Sequence, residues 1–325
     1  MQKTGPDKRS GLGIIRKMCI GGMICFGMTQ ACFAAESEPI IVDGQVVSAS
    51  AQELENTEVQ NAEMVPQDVP IPQEMKADET LTEVLAEVET ALPADNSEWS
   101  VYICDPAGGF EGCINEQSMQ AASLIKLYIM GAVYERYGEL TEVHGKETVD
   151  ANLKSMITVS DNEAANMLTG YLGDGDSEKG LRAVSDYCLE KGFTCTSMGR
   201  LLLQSGTAGE NYTSVRDCGR FLKAVYEKDT GMFPYAEEMF ALLSEQTRRN
   251  KIPAQLPGDV SVANKTGELG DVENDAGIIY DTEHDLILVF MSQGLKDTAA
   301  AQQTIAELSR QIYESYNAVE NKITN

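Results

Sequence analysis

Residues 121–130 read AASLIKLYIM, and within them Ser123 and Lys126 stand three apart in otherwise apolar sequence. Leu124, Ile125, Leu127, Ile129, Met130, Ala132 and Val133 surround the pair. A helix that is apolar on every side is a buried one. Lysine is almost never fully buried without a partner. Positions i and i+3 share one helical face, so the Lys126 amine is expected beside the Ser123 hydroxyl. Burial disfavours an ammonium and a second cation disfavours it further, so such a lysine can be neutral and accept the serine's proton. If Ser123 opens the helix, its hydroxyl lies at the positive end of the dipole and its N–H is free to hold an oxyanion. The plainer alternative is a helix cap, a common use of serine. S-x-x-K also arises about once by chance in a chain of this length.

The chain has only two histidines, His144 in EVHGKE and His284 in DTEHD, both in polar loop sequence. A Ser-His-Asp arrangement is therefore not expected, and an activated serine needs another base. Two further triplets follow: Ser160, Asp161 and Asn162 in TVSDNE, and Lys265, Thr266 and Gly267 in ANKTGE. Each alone reads equally well as a helix cap or a strand end. Together, in the order S-x-x-K, S-D-N, K-T-G, they form a specific set.

On these residues the chain resembles the class A β-lactamase and penicillin-binding protein superfamily, over residues 80–317. Thr196 with Arg200, the stretch GENYTSVRD and the stretch RRNKIPAQLP add to the likeness. The resemblance implies that Ser123 is the nucleophile and Lys126 its base, with Ser160 relaying a proton to the departing nitrogen, helped by the field of Lys265. It implies that Asn162 orients Lys126 and the substrate amide, and that Thr266 and Lys265 bind a substrate carboxylate. The N–H groups of Ser123 and Glu268, the residue after Gly267, would form the oxyanion hole. The implied substrate is a β-lactam or a peptidoglycan stem peptide; no CxxC pair or histidine cluster suggests a metal site, and no cofactor is expected.

Two departures qualify this. Class A enzymes hydrolyse the acyl-enzyme with a glutamate in an E-x-x-L-N pattern, whereas Leu201, Leu202, Leu203 and Gln204 follow Arg200 here. Glu210 is the only acid in that loop before Asp217, and it reads as an ordinary loop residue. The strand sequence ENDAGIIY lacks the arginine that many class A enzymes use for the substrate carboxylate, leaving Arg248, Arg249 or Lys251 as substitutes. A DD-peptidase, or a non-catalytic module that binds peptidoglycan or β-lactams, are the alternatives to a β-lactamase.

The elements that must position these groups follow from pattern. TLTEVLAEVETAL has an apolar face, and Thr80 with Glu83 forms a capping box, so a helix is expected from Thr80. Strands are expected at SVYICD, near GCINE, and at SVANKTG, AGIIYD and LILVFMS, with a last helix from about Asp297 to Tyr316. The residues from Ser123 to Thr247 read as helical. The fold class is α/β: an antiparallel five-stranded sheet flanked by the N- and C-terminal helices, with an all-helical lobe inserted between strands 2 and 3.

Around this domain (residues 80–319) the sequence is different. Residues 1–34 carry Lys3, Lys8, Arg9, Arg16 and Lys17 ahead of an apolar run, then QACFAAES, as an export signal or an N-terminal anchor would. Residues 35–79 are acidic with four prolines and read as a disordered linker; residues 320–325 are a tail. The expectation is an exported monomer, secreted or tethered to the membrane. A net charge of −26 argues against nucleic acid as a partner. Cys104 and Cys113 bracket a hairpin and Cys188 lies near Cys195, so two disulfides are open to the exported chain.

Overall fold

A computed structural model describes residues 73–205 and 209–317. The leader, most of the acidic linker and the tail lie outside them. Five strands form one antiparallel sheet in the order β2-β1-β8-β7-β6: β1 (Glu98–Cys104), β2 (Glu111–Ile114), β6 (Ser261–Leu269), β7 (Val272–Tyr280) and β8 (Leu286–Gln293). The central strands are covered on both sides, which explains their near-continuous apolar sequence. Val101 and Ile103 of β1, with Leu288 and Phe290 of β8, pack under α1 (Gln73–Ala91) and α9 (Thr298–Asn317) with Leu81, Val88, Ile305 and Ile312. Tyr102 and Cys104, with Ile287, Val289 and Met291, face the other way into the helical lobe. Period-2 alternation thus divides one strand between two cores.

The lobe between β2 and β6 contains α2 (Ile125–Glu135), α3 (Tyr137–His144), α4 (Lys146–Thr158), α5 (Asn162–Leu172), α6 (Ser177–Glu190), α7 (Val215–Tyr226) and α8 (Ala236–Ser244). It is not wholly helical. Three short strands, β3 (Met119–Gln120), β4 (Ser197–Met198) and β5 (Asn211–Thr213), pair in the order β3-β5-β4. Two or three residues are too few to show an alternating pattern, so the sequence carries no signal for them.

Two other expectations are corrected. The first helix begins at Gln73, which puts Thr80 inside it and removes the capping box. QEMKADE, with which the helix opens, is mostly strong helix formers. Second, all five described cysteines are free. The β1–β2 register sets Cys104 opposite Glu111 and Cys113 opposite Tyr102, so the two thiols lie diagonally rather than face to face. The Cys113 thiol instead donates to Glu116 Oε1 at 2.9 Å.

Candidate active site

The Ser123 turn is built by strain and close approach. Ser123 lies in a short 3₁₀ turn (Ala122–Leu124) immediately before α2, not in the α-helix itself. Ala122 just before it has φ 47°, a left-handed conformation costly to any residue with a Cβ. The buried Asn274 of β7 holds the approach to this turn: its Nδ2 donates to the carbonyls of Gln120 (2.9 Å) and Ala121 (3.2 Å). Its Oδ1 accepts from the Ser292 N–H at 3.1 Å.

On the other side lies β6, the edge strand of the sheet. A Cβ on Gly267 would stand 3.0 Å from the Ala121 carbonyl oxygen and 3.3 Å from Ala122 Cβ. Glycine here lets the backbone of Gly267 and Glu268 lie against the Ser123 turn. Gly267→Ala should therefore push strand and turn apart by a few tenths of an ångström. We expect labelling by a fluorescent penicillin to slow about tenfold with the fold retained; an unchanged rate would show that this spacing is not critical.

Lys126 projects from the first turn of α2 and is fully buried. Its Nζ lies 2.7 Å from the Ser160 carbonyl oxygen, 2.7 Å from Asn162 Oδ1, 3.1 Å from Ser160 Oγ and 3.2 Å from Ser123 Oγ. The carbonyl and amide oxygens can only accept. A neutral amine has two N–H donors, which those two acceptors use, leaving its lone pair for a hydroxyl. Burial, and then the field of Arg248, push the Lys126 pKa down to about 7, against an opposing pull from Asp161. The amine is thus substantially neutral at physiological pH.

Ser160 and Asn162 come from the junction of α4 and α5. Asp161 caps α5 by accepting from the Ala164 N–H at 2.9 Å, and Ser160 before it has φ 60°. This turn aims the Ser160 carbonyl, its hydroxyl and the Asn162 side chain at one point. From β6, fully buried Lys265 donates to Ser160 Oγ at 2.9 Å and to the Thr266 carbonyl at 2.8 Å. Burial, then Lys126 and Arg248, hold the Lys265 pKa well below its ordinary value. The Ser160 hydroxyl therefore bridges two lysines. The Thr266 hydroxyl is buried and has no partner among the described residues.

All three triplets thus converge, although Ser160 and Lys265 are 105 residues apart. Of the three cations considered for a substrate carboxylate, Arg249 donates to the Val262 carbonyl at 2.7 Å. Lys251 is fully buried against Glu273, 2.6 Å away. Arg248 is partly exposed, and its field reaches both Lys126 and Lys265. Glu210 is paired with Arg200 at 3.0 Å. Asn166 of α5 clamps the Leu202 backbone, accepting from its N–H at 2.8 Å and donating to its carbonyl at 3.0 Å. A separate cleft of about 490 Å³, lined by Tyr134, Tyr137 and Tyr235 in the helical lobe, contains none of these groups.

Sequence reasoning missed Asn274 and Asn166. Their one signal is a polar residue among apolar neighbours, ENDAGIIY for the first and AANML for the second.

The fold is shared with known enzymes. A β-lactamase from Sphaerobacter thermophilus is 23% identical over 72% of this chain and 97% of its own, with a TM-score of 0.62. PBP-A is 20% identical over 73% and 96%, with a TM-score of 0.63. A mutant of PBP-A, solved as an acyl-enzyme complex with penicillin G, is also 20% identical, over 73% and 97%, with a TM-score of 0.63. No curated protein matches. Residues 138–316, more than half of the sequence, match the beta-lactamase enzyme family. With that match over more than half of the sequence, on this fold, the chain belongs to the beta-lactamase enzyme family.

Proposed function

We propose that this protein acylates itself on Ser123 with a β-lactam or a peptidoglycan stem-peptide amide, and that it releases the acyl group slowly. One observation carries the reading: a buried lysine of lowered pKa, held by two oxygens that can only accept, has its Nζ 3.2 Å from the Ser123 hydroxyl. Ser123 Oγ attacks the carbonyl carbon as its proton moves to Lys126 Nζ. The oxyanion is received by the N–H groups of Ser123 and Glu268. The C–N bond then breaks, and a proton passes from Lys126 through the Ser160 hydroxyl to the departing nitrogen, which Lys265 assists from the other side of Ser160. Thr266 and Arg248 face the substrate carboxylate, and Asn162 faces its amide side chain.

Hydrolysis of the ester needs a base aimed at water. Glu210 is turned to Arg200, and the position that Asn166 clamps is Leu202. This favours a penicillin-binding or DD-peptidase-type enzyme over an efficient β-lactamase. The basic and apolar leader supports action outside the cytoplasm.

The reading makes a pH prediction with a definite sign. Only neutral Lys126 can take the proton, so the acylation rate should rise with pH through about 7 and level off above it. Stopped-flow acylation by benzylpenicillin measures this. A rate that falls as pH rises through neutrality would exclude Lys126 as the base.

A further inference from the structure

Arg248 is the exposed cation at this site, and the protein's own carboxylate already holds it. Its Nη1 donates to Glu268 Oε2 at 2.8 Å, and Lys251 Nζ lies 3.3 Å from Glu268 Oε1. Lys251 cannot compensate. It is fully buried, 2.6 Å from Glu273 Oε2, and donates to the carbonyls of Gly267 (3.2 Å) and Asn274 (3.0 Å). Beneath them Asp275, also fully buried, accepts from Asn264 and from the Ile252 N–H. Glu268, Glu273 and Asp275 thus offset Arg248, Lys251 and Lys265 in and beside the Lys265–Thr266–Gly267 segment.

Glu268 directly follows that segment, and its side chain is about one-third exposed. An incoming substrate carboxylate therefore meets a guanidinium that is already paired with a carboxylate, with that like charge beside it. It must displace Glu268 from Arg248 or bind next to it at a Coulombic cost.

We propose that Glu268 is a specificity determinant. It disfavours acyl donors that carry a carboxylate beside the scissile amide relative to donors that are neutral there. This inference rests on the reading that Ser123 is acylated.

The test compares benzylpenicillin with its uncharged methyl ester on the full-length protein, on Glu268→Gln, on Arg248→Gln and on the double variant. Intact mass identifies the adduct, and acylation is resolved into an apparent dissociation constant and a limiting rate. For Glu268→Gln we expect the efficiency ratio of benzylpenicillin to the ester to rise about tenfold, through the dissociation constant. In the Arg248→Gln background the same change should bring a much smaller gain, because the two side chains act as a pair.

Equal gains with both compounds, or a loss with benzylpenicillin, would overturn the proposal. The second result would mean that Glu268 positions Arg248 for the substrate. Adducts that form without the predicted discrimination defeat this inference alone. No adduct with either compound, on any folded variant, defeats the acylation reading and the inference with it.

Discussion

Lys126→Met lowers the acylation rate of Ser123 by about 10²–10⁴-fold, the usual contribution of a positioned general base. Methionine keeps the length and apolar stem of lysine but has no lone pair basic enough to take the proton. Two opposing effects act on the fold. In the wild type, the unfolded chain binds a proton on Lys126 between pH 7 and 10.5 that the folded chain binds less well. Stability from this group therefore rises with pH across that window, and near neutrality the buried lysine is a cost that methionine removes. Against this, the Ser160 carbonyl and Asn162 Oδ1 lose a donor, at about 1–3 kcal/mol for each buried group left unpaired. The variant should stay folded, with a flatter dependence of melting temperature on pH above 7. Near-wild-type labelling by a fluorescent penicillin in a folded Lys126→Met protein would remove the lysine from the mechanism.

Leu202→Glu should speed loss of the acyl group by about 10²–10⁴-fold. Asn162 and Asn166 lie four apart on α5 and so share one face. Asn162 touches Lys126, and Asn166 holds the Leu202 N–H and carbonyl. The Leu202 backbone is thereby fixed about one helical turn, roughly 6 Å, along α5 from the Lys126 contact. The loop is further tied by Arg200, which pairs with Glu210 and donates to the carbonyls of Leu201 and Gln204. A carboxylate introduced at buried Leu202 would have a raised pKa, useful in a base, and would cost about 1–3 kcal/mol of stability. Steady-state hydrolysis of benzylpenicillin reads the gain. If the variant is folded and acylated but its adduct lasts as long as the wild type's, Leu202 is not where a deacylating base must stand.

How much of this could be read from the sequence depended on whether the cause was local. The central strands were legible because β1 and β8 are covered on both faces and read as apolar runs. The three triplets were legible because their residue types are unusual in such surroundings, a lysine in AASLIKLYIM above all. The clamps were not legible. Asn274 reaches Gln120 across 154 residues, and nothing near either position announces the contact. The choice among Arg248, Arg249 and Lys251 was equally hidden, since it depends on which face of β6 each side chain reaches. Helical propensity in 73–79 was present but was outweighed in the reading by the acidity of the segment around it. The β1–β2 register, rather than cysteine spacing, decided that Cys104 and Cys113 stay apart.

The most direct measurement is intact mass over time after mixing the full-length protein with benzylpenicillin, with Ser123→Ala alongside. The expected result is an adduct of one penicillin that forms on the wild type, is absent from Ser123→Ala and persists after free penicillin is removed. An adduct that disappears while substrate is consumed would contradict slow release and reveal an efficient β-lactamase. No adduct on the folded wild-type protein would contradict the claim that Ser123 is the nucleophile for β-lactams.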